Sequence, residues 1–160
     1  MKNSNLTPIL LTILLSLSLF SPTHLSAQAP APTQVTIEGT LTLFLVTNYG
    51  DGGQEIDQYR KTGDGEYVAF ILKTDRPLDM TQYLDKEDVE DLVVYAGETK
   101  QSRFMLVPTS ELMESFSGKD FAARYAHKRV RVTGTLFFPL AGWHYVTPVA
   151  MEYSKVAVVE

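Results

Sequence analysis

Arg129-Val130-Arg131-Val132-Thr133-Gly134-Thr135-Leu136-Phe137-Phe138 decides how the rest of the chain is read. Val130, Val132, Gly134 and Leu136 alternate with Arg131, Thr133 and Thr135, which is the period-two pattern of a half-buried strand. A second stretch shares its pattern. Val35, Ile37, Gly39, Leu41, Leu43 and Leu45 alternate with Thr36, Glu38, Thr40 and Thr42. In each stretch the glycine stands where a strand would bend or bulge sharply.

Working outward, Glu66 to Lys73 reads as another strand, with Tyr67, Ala69 and Ile71 on one face and Val68, Phe70 and Leu72 on the other. Pro77 is expected to stop it, because proline cannot donate to a ladder. Thr81 to Asp91 is the most acidic stretch and reads as a solvated helical turn or loop. Leu92 to Tyr95 fits a short strand, and Ser102 to Val107 fits a better one, ended by Pro108. Thr109 or Ser110 then suits a helix cap, and Ser117 with Asp120 forms a second start signal. Phe121 and Tyr125 share one face of the segment that Ser117 starts, and they read as core. The last strand runs from about Val149 to Val159, with Met151, Tyr153, Lys155, Ala157 and Val159 on one face.

Leaving Leu92 to Tyr95 aside, five strands with one short helical segment between the third and fourth is the order of a mostly β, OB-like Greek-key barrel. An open α+β sandwich uses the same elements. In the barrel reading, two long connections flank the binding face: Asn48 to Gly65, rich in turn residues, and Pro139 to Thr147. They are expected to open on one side. They bring Tyr49, Tyr59, Trp143, His144 and Tyr145, with Phe138 just before the second loop, and these six are the candidate ligand-binding residues. Aromatic side chains on loops give contact area at low entropic cost. Trp143 as a core residue capping the barrel end is the competing role.

The N-terminus reads differently. Lys2 precedes the apolar run Ile9 to Phe20, and Pro22 and the small residues Ser26-Ala27-Gln28-Ala29 come after it. The run is the length of a signal h-region and short of the ~20 residues that span a bilayer. Residues 1–27 are therefore read as a secretion signal, 28–34 as a Pro/Ala spacer and 35–160 as one OB-like domain. Cleavage after Ala27 is preferred to cleavage after Ala29, which would leave Pro30 directly behind the cut. An exported protein, periplasmic or secreted, is expected, with no membrane anchor after signal removal.

Composition narrows the chemistry. The 160 residues carry 14 basic and 19 acidic side chains, a net charge of −5. An acidic domain repels phosphate backbones, which argues against nucleic acid as a partner. With no cysteine, thiol catalysis, thiolate zinc sites and disulfides are all excluded. No G-x-S-x-G, phosphate-binding loop or H-E-x-x-H motif is present, so no catalytic residue can be named. Zinc wants three or four ligands, and no spacing supplies them, so neither a metal site nor a cofactor is expected. His127 at a helix end suits the helix dipole better than catalysis.

Val130 to Phe137, followed by Gly142-Trp143-His144-Tyr145-Val146-Thr147-Pro148-Val149, resembles a family of bacterial exported proteins. That family carries a C-terminal domain of unknown function, with a V-x-V-x-G-T-L-F strand, a short loop, G-H-H-x-T and a final strand. Val35 to Leu41 and Leu72 to Pro77 also fit its N-terminal half. The resemblance implies export, and it brings no known activity with it. Here the histidine-rich loop is reduced to His144, which weakens any metal role. The resulting expectation is a non-catalytic binding or interaction module of the cell envelope, its partner a protein, a glycan or another small ligand. The alternatives are an inhibitor-type interaction domain or an enzyme without a recognisable motif.

Overall fold

Val35 and Ile37 face inward on a strand that is far longer than its first pairing partner, and this length closes the barrel. In the computed structural model, which describes residues 33–47, 53–139 and 146–159, β1 spans Gln34–Thr47. Its first half pairs with β5 (Arg129–Phe137), from Gln34 opposite Thr135 to Thr40 opposite Arg129. Its second half pairs with β3 (Glu66–Asp79), from Thr40 opposite Lys73 to Thr47 opposite Glu66. Gly39 lies at the changeover. A Cβ there would run into the carbonyl of Lys73, so only glycine lets the two strands approach.

β3 continues to β4 (Lys100–Pro108) and β4 to β6 (Val149–Val158), which returns to β5. The β4–β6 pair is parallel and the other pairs are antiparallel. The result is a closed, mixed, five-stranded barrel with a few short helices. A short strand, β2 (Gln54–Ile56), adds to the outside of β1. It falls inside Asn48 to Gly65, the stretch read from sequence as a long connection rich in turn residues.

Three other readings are corrected. Leu92 to Tyr95 is helical: α1 spans Lys86–Ala96 between β3 and β4. The Asp85 carboxylate caps it by accepting from Asp88 N at 2.9 Å, and Gly97 ends it at φ 79°. The β-branched run therefore yields to strong start and stop signals and to burial of Leu92. Next, Pro77 does not end β3. The pairing with β4 shifts register between Lys73 and Leu78, and Pro77 sits in that irregular stretch, where a missing N–H breaks no ladder bond. Last, the inward face of β6 is not continuous. Tyr153 pairs with Gly134 and Lys155 with Thr133, leaving Ser154 as a bulge. Beyond it Val156 is half-buried while Lys155 and Ala157 are exposed.

The core is the barrel interior. Leu41, Leu43, Phe70, Leu72, Phe104, Val130, Val132 and Met151 fill it. Met80 and Leu92 enter at the end where β3 turns into β4, and Phe121 and Ala122 of α3 (Gly118–Tyr125) at the end where β4 turns into β5. Ser117 caps α3 by accepting from Asp120 N at 3.3 Å, as the sequence signal implies. A short helix α2 (Ser110–Met113) precedes it. A smaller cluster on the outside of β1 and β3 joins Phe44, Val46, Ala69 and Ile71, with Tyr67, Met105 and Val146 packed on it.

Candidate functional site

The bulge at Ser154 shapes a concavity between β6 and α3. Because it reverses the alternation of β6, Tyr153 and Val156 both turn toward α3, while Ser154 and Lys155 stand at the rim. The opposite wall comes from Leu112, Phe116, Phe121, Arg124 and Tyr125, and the cleft between them measures about 460 Å³.

Its floor is a packed aromatic group centred on Phe121. The Phe121 ring lies 4.9 Å from Phe70 at 72°, 5.6 Å from Phe116, 4.9 Å from Tyr125 and 5.4 Å from Tyr153, measured between centroids. Tilted and edge-on contacts of this kind are favourable beyond the area they bury. The Tyr125 hydroxyl donates to the main-chain oxygen of Val156 at 3.3 Å, tying helix to strand. Burial, and then the neighbouring Tyr125, pushes the Tyr153 phenol well above its ordinary range, so it stays protonated. The rim is polar: Ser115, Ser117, Asp120, Arg124, Ser154 and Lys155. The Arg124 guanidinium stands 5.3 Å from the Tyr125 ring centre.

Outside β1 and β3, the second cluster carries two cations over one ring. Lys73 Nζ is 5.3 Å and the Arg103 guanidinium carbon 4.7 Å from the Phe44 ring centre. Lys73 also pairs with Glu55 of β2 at 2.7 Å, whereas Arg103 Nε is buried without a hydrogen-bond partner among the described residues. Thr147 enters this region by accepting from Met105 N at 2.9 Å and donating to Val149 O at 2.7 Å. Where β1 meets β5, an ion-pair group stitches the closure. Arg131 holds Glu38, and Arg129 bridges Glu38 and Asp75. The hydrogen bond to Asp75, then its charge, raises the Arg129 pKa above the ordinary guanidinium range.

Of the six residues singled out from sequence, Tyr49, Trp143, His144 and Tyr145 lie outside the described residues. Tyr59 packs on α3: with Leu43, Asp57, Lys119 and Ala122 it lines a groove of about 280 Å³, and its ring lies over Gly118. Phe138 instead meets Tyr95 of α1 edge-on, with centroids 6.2 Å apart. The expectation that both long connections open on one side is corrected by strand direction. β5 is antiparallel to β1, so the chain leaves these two strands at opposite ends of the barrel. The cleft residues Phe121 and Tyr125 read as core from sequence. They are core on one side and cleft floor on the other, a distinction that depends on the Ser154 bulge.

Among the described residues no group of three or more His, Asp or Glu is placed to hold a metal ion, and no helix is long and apolar enough to cross a membrane. No protein-family model matches the chain, and no curated protein or solved structure is found to be similar to it.

Proposed function

We propose that this chain is a non-catalytic, exported binding module of the cell envelope, built on an OB-type barrel. The observation that carries the reading is the cleft between α3 and β6. Its volume falls in the range of about 300–1,000 Å³ usual for small-ligand sites, and an apolar aromatic floor under a few polar groups is their usual lining. The strand order β1-β3-β4-β6-β5, closed by β5 on β1, with a parallel β4–β6 pair, supports the OB-type assignment. Export rests on the N-terminal Lys2, the apolar run and the small residues before Gln28, and on the resemblance to exported proteins.

A thermal-shift screen of residues 28–160 against envelope glycans, short peptides and divalent metals tests the reading. Ser115 is exposed at the cleft rim, so Ser115→Trp fills the cleft without removing core. A ligand that raises the melting temperature of the wild type and not of this variant supports the cleft. Ligands that bind both equally remove it.

A protein-interaction or inhibitor-type module is the second reading, and one feature favours it. The last turn of α1 exposes Val93, Val94 and Tyr95, with Val94 87% exposed, beside Phe138. Val94→Asp would leave small-ligand binding intact and abolish binding of a protein partner at this turn.

A further inference from the structure

Two cations reach the same cleft from opposite walls, Arg124 from α3 and Lys155 from β6. Neither takes part in an ion pair among the described residues. Asp120 is the single carboxylate on the rim among the described residues, so there the mouth carries a local excess of positive charge on a chain whose net charge is −5. Charge of this sign is not a general property of the surface. Below it lies the aromatic floor of Phe116, Phe121, Tyr125 and Tyr153.

We propose that the cleft takes an aromatic carboxylate, its ring on the Phe121 group and its carboxylate between Arg124 and Lys155. The inference rests on the cleft reading above and adds the charge and the ring to it. An arginine fork matches a carboxylate with two parallel N–H···O bonds, and lysine adds a point charge. The ring gains edge and face contacts with the floor. Because the protein as a whole is acidic, long-range attraction does not deliver the ligand, and recognition depends on these two side chains at contact distance. A free aromatic acid and a peptide ending in an aromatic residue present the same chemistry.

Calorimetric titration with N-acetyl-phenylalanine, with its amide, and with the tripeptide Gly-Gly-Phe and its amide tests the proposal. The acids should bind about tenfold or more tightly than the amides, the difference a charged hydrogen bond makes. Arg124→Gln should remove most of that preference and Lys155→Gln part of it, with far-ultraviolet circular dichroism unchanged. Binding of both acids assigns the site to the shared carboxylate and ring. Binding of the tripeptide alone assigns it to peptide C-termini, and of N-acetyl-phenylalanine alone to free acids. Equal binding of acid and amide, lost in Ser115→Trp, overturns the charge inference and leaves the cleft standing. Binding unaffected by Ser115→Trp overturns the cleft reading itself. No saturable binding of any of the four probes overturns the inference.

Discussion

His127 and Asp57, 70 residues apart in sequence, are joined by a hydrogen bond in which the His127 Nε2 lies 2.8 Å from the main-chain oxygen of Asp57. The same histidine donates its backbone N–H to Leu41 O at 2.7 Å, and Leu41 N donates to Lys128 O at 3.0 Å. The turn from α3 into β5 is thus fastened to β1 and to the connection that carries Tyr59. Both the neutral Nε2–H tautomer and the imidazolium donate to a carbonyl, so the tie does not need a particular charge state.

His127 pays for this with φ 59°, the one positive value at a non-glycine residue among those described. The left-handed region costs an ordinary side chain roughly 1–2 kcal/mol and glycine far less. His127→Ala keeps the backbone cost and loses the side-chain bond, which is worth about 1 kcal/mol. His127→Gly loses the bond and relieves the backbone. Urea denaturation should therefore rank wild type near His127→Gly, with His127→Ala clearly below both. Hydrogen exchange around residues 57–59 should rise in both variants. Equal stability of the Ala and Gly variants would show that the backbone is not strained there.

Export has a direct readout. Mass spectrometry of protein made from the full precursor should give a chain beginning at Gln28, recovered in the soluble periplasmic or secreted fraction. Recovery of residues 1–20 with the membrane fraction would contradict it.

The strand β5 was legible because it has one wet face, with Val130, Val132 and Leu136 buried against the more exposed Arg131 and Thr133, although alternation alone left an open sandwich of the same elements possible. Gly39 and Gly134 were legible too, as small residues where large ones were due. The helix α1 was hidden behind Val93-Val94-Tyr95, whose strand preference is local. Its cap at Asp85 lies well upstream of that run, and a stop at Gly97 suits a helix end as well as a strand end. The cleft was not legible, because it depends on the register of β6. A single residue, Ser154, moves Lys155 to the rim and Val156 to the floor, and nothing in the alternation of the strand announces that slip. Strand direction likewise decides that Tyr59 meets α3 while Phe138 meets α1, which spacing in the sequence does not reveal.

Two carboxylates should bend the acid side of the stability curve in opposite directions. Asp79 accepts from Thr81 Oγ1 at 2.9 Å and from Thr81 N at 3.2 Å. These bonds hold its pKa below the usual 3.8. Its contribution is therefore present above pH 3.8 and is lost as pH falls through the lower folded value. Asp88 is the reverse case. Partial burial, then the charge of Asp85, raises its pKa above 3.8, so its ionised form weakens the fold at neutral pH and that penalty disappears on acidification. Asp79→Asn should lower the urea midpoint at pH 7 and leave it unchanged well below pH 3. Asp88→Asn should raise it at pH 7 and have no effect at low pH. The same sign for both variants at pH 7 would contradict this assignment.

Gly134 is where the bulge of β6 meets β5, and it offers the sharpest test of the architecture. A Cβ built there would strike the Glu152 carbonyl and lie 2.8 Å from Tyr153 Cα. At Gly39 it would strike the Lys73 carbonyl and lie 3.1 Å from Leu72 Cδ1. In both places the obstacle is backbone, which cannot swing aside as a side chain can. Overpacking costs about 1–3 kcal/mol where side chains yield, so Gly39→Ala and Gly134→Ala should each cost about 3 kcal/mol or more. Gly63 supplies the control, because among the described residues a Cβ there, its chain neighbours aside, would meet just the end of the Glu66 side chain at 4.0 Å, and Gly63→Ala should be near neutral. The two barrel variants differ in what else they disturb. Gly134→Ala must push β6 away from β5 at Tyr153, so it should also deform the aromatic floor and weaken any ligand held there. Gly39→Ala acts at the β1–β3 contact, away from the cleft, and should lower stability while leaving affinity unchanged in the fraction that remains folded. Denaturation and titration of the three variants together separate the two effects. A Gly134→Ala protein as stable as wild type would refute the close β5–β6 crossing on which the cleft depends.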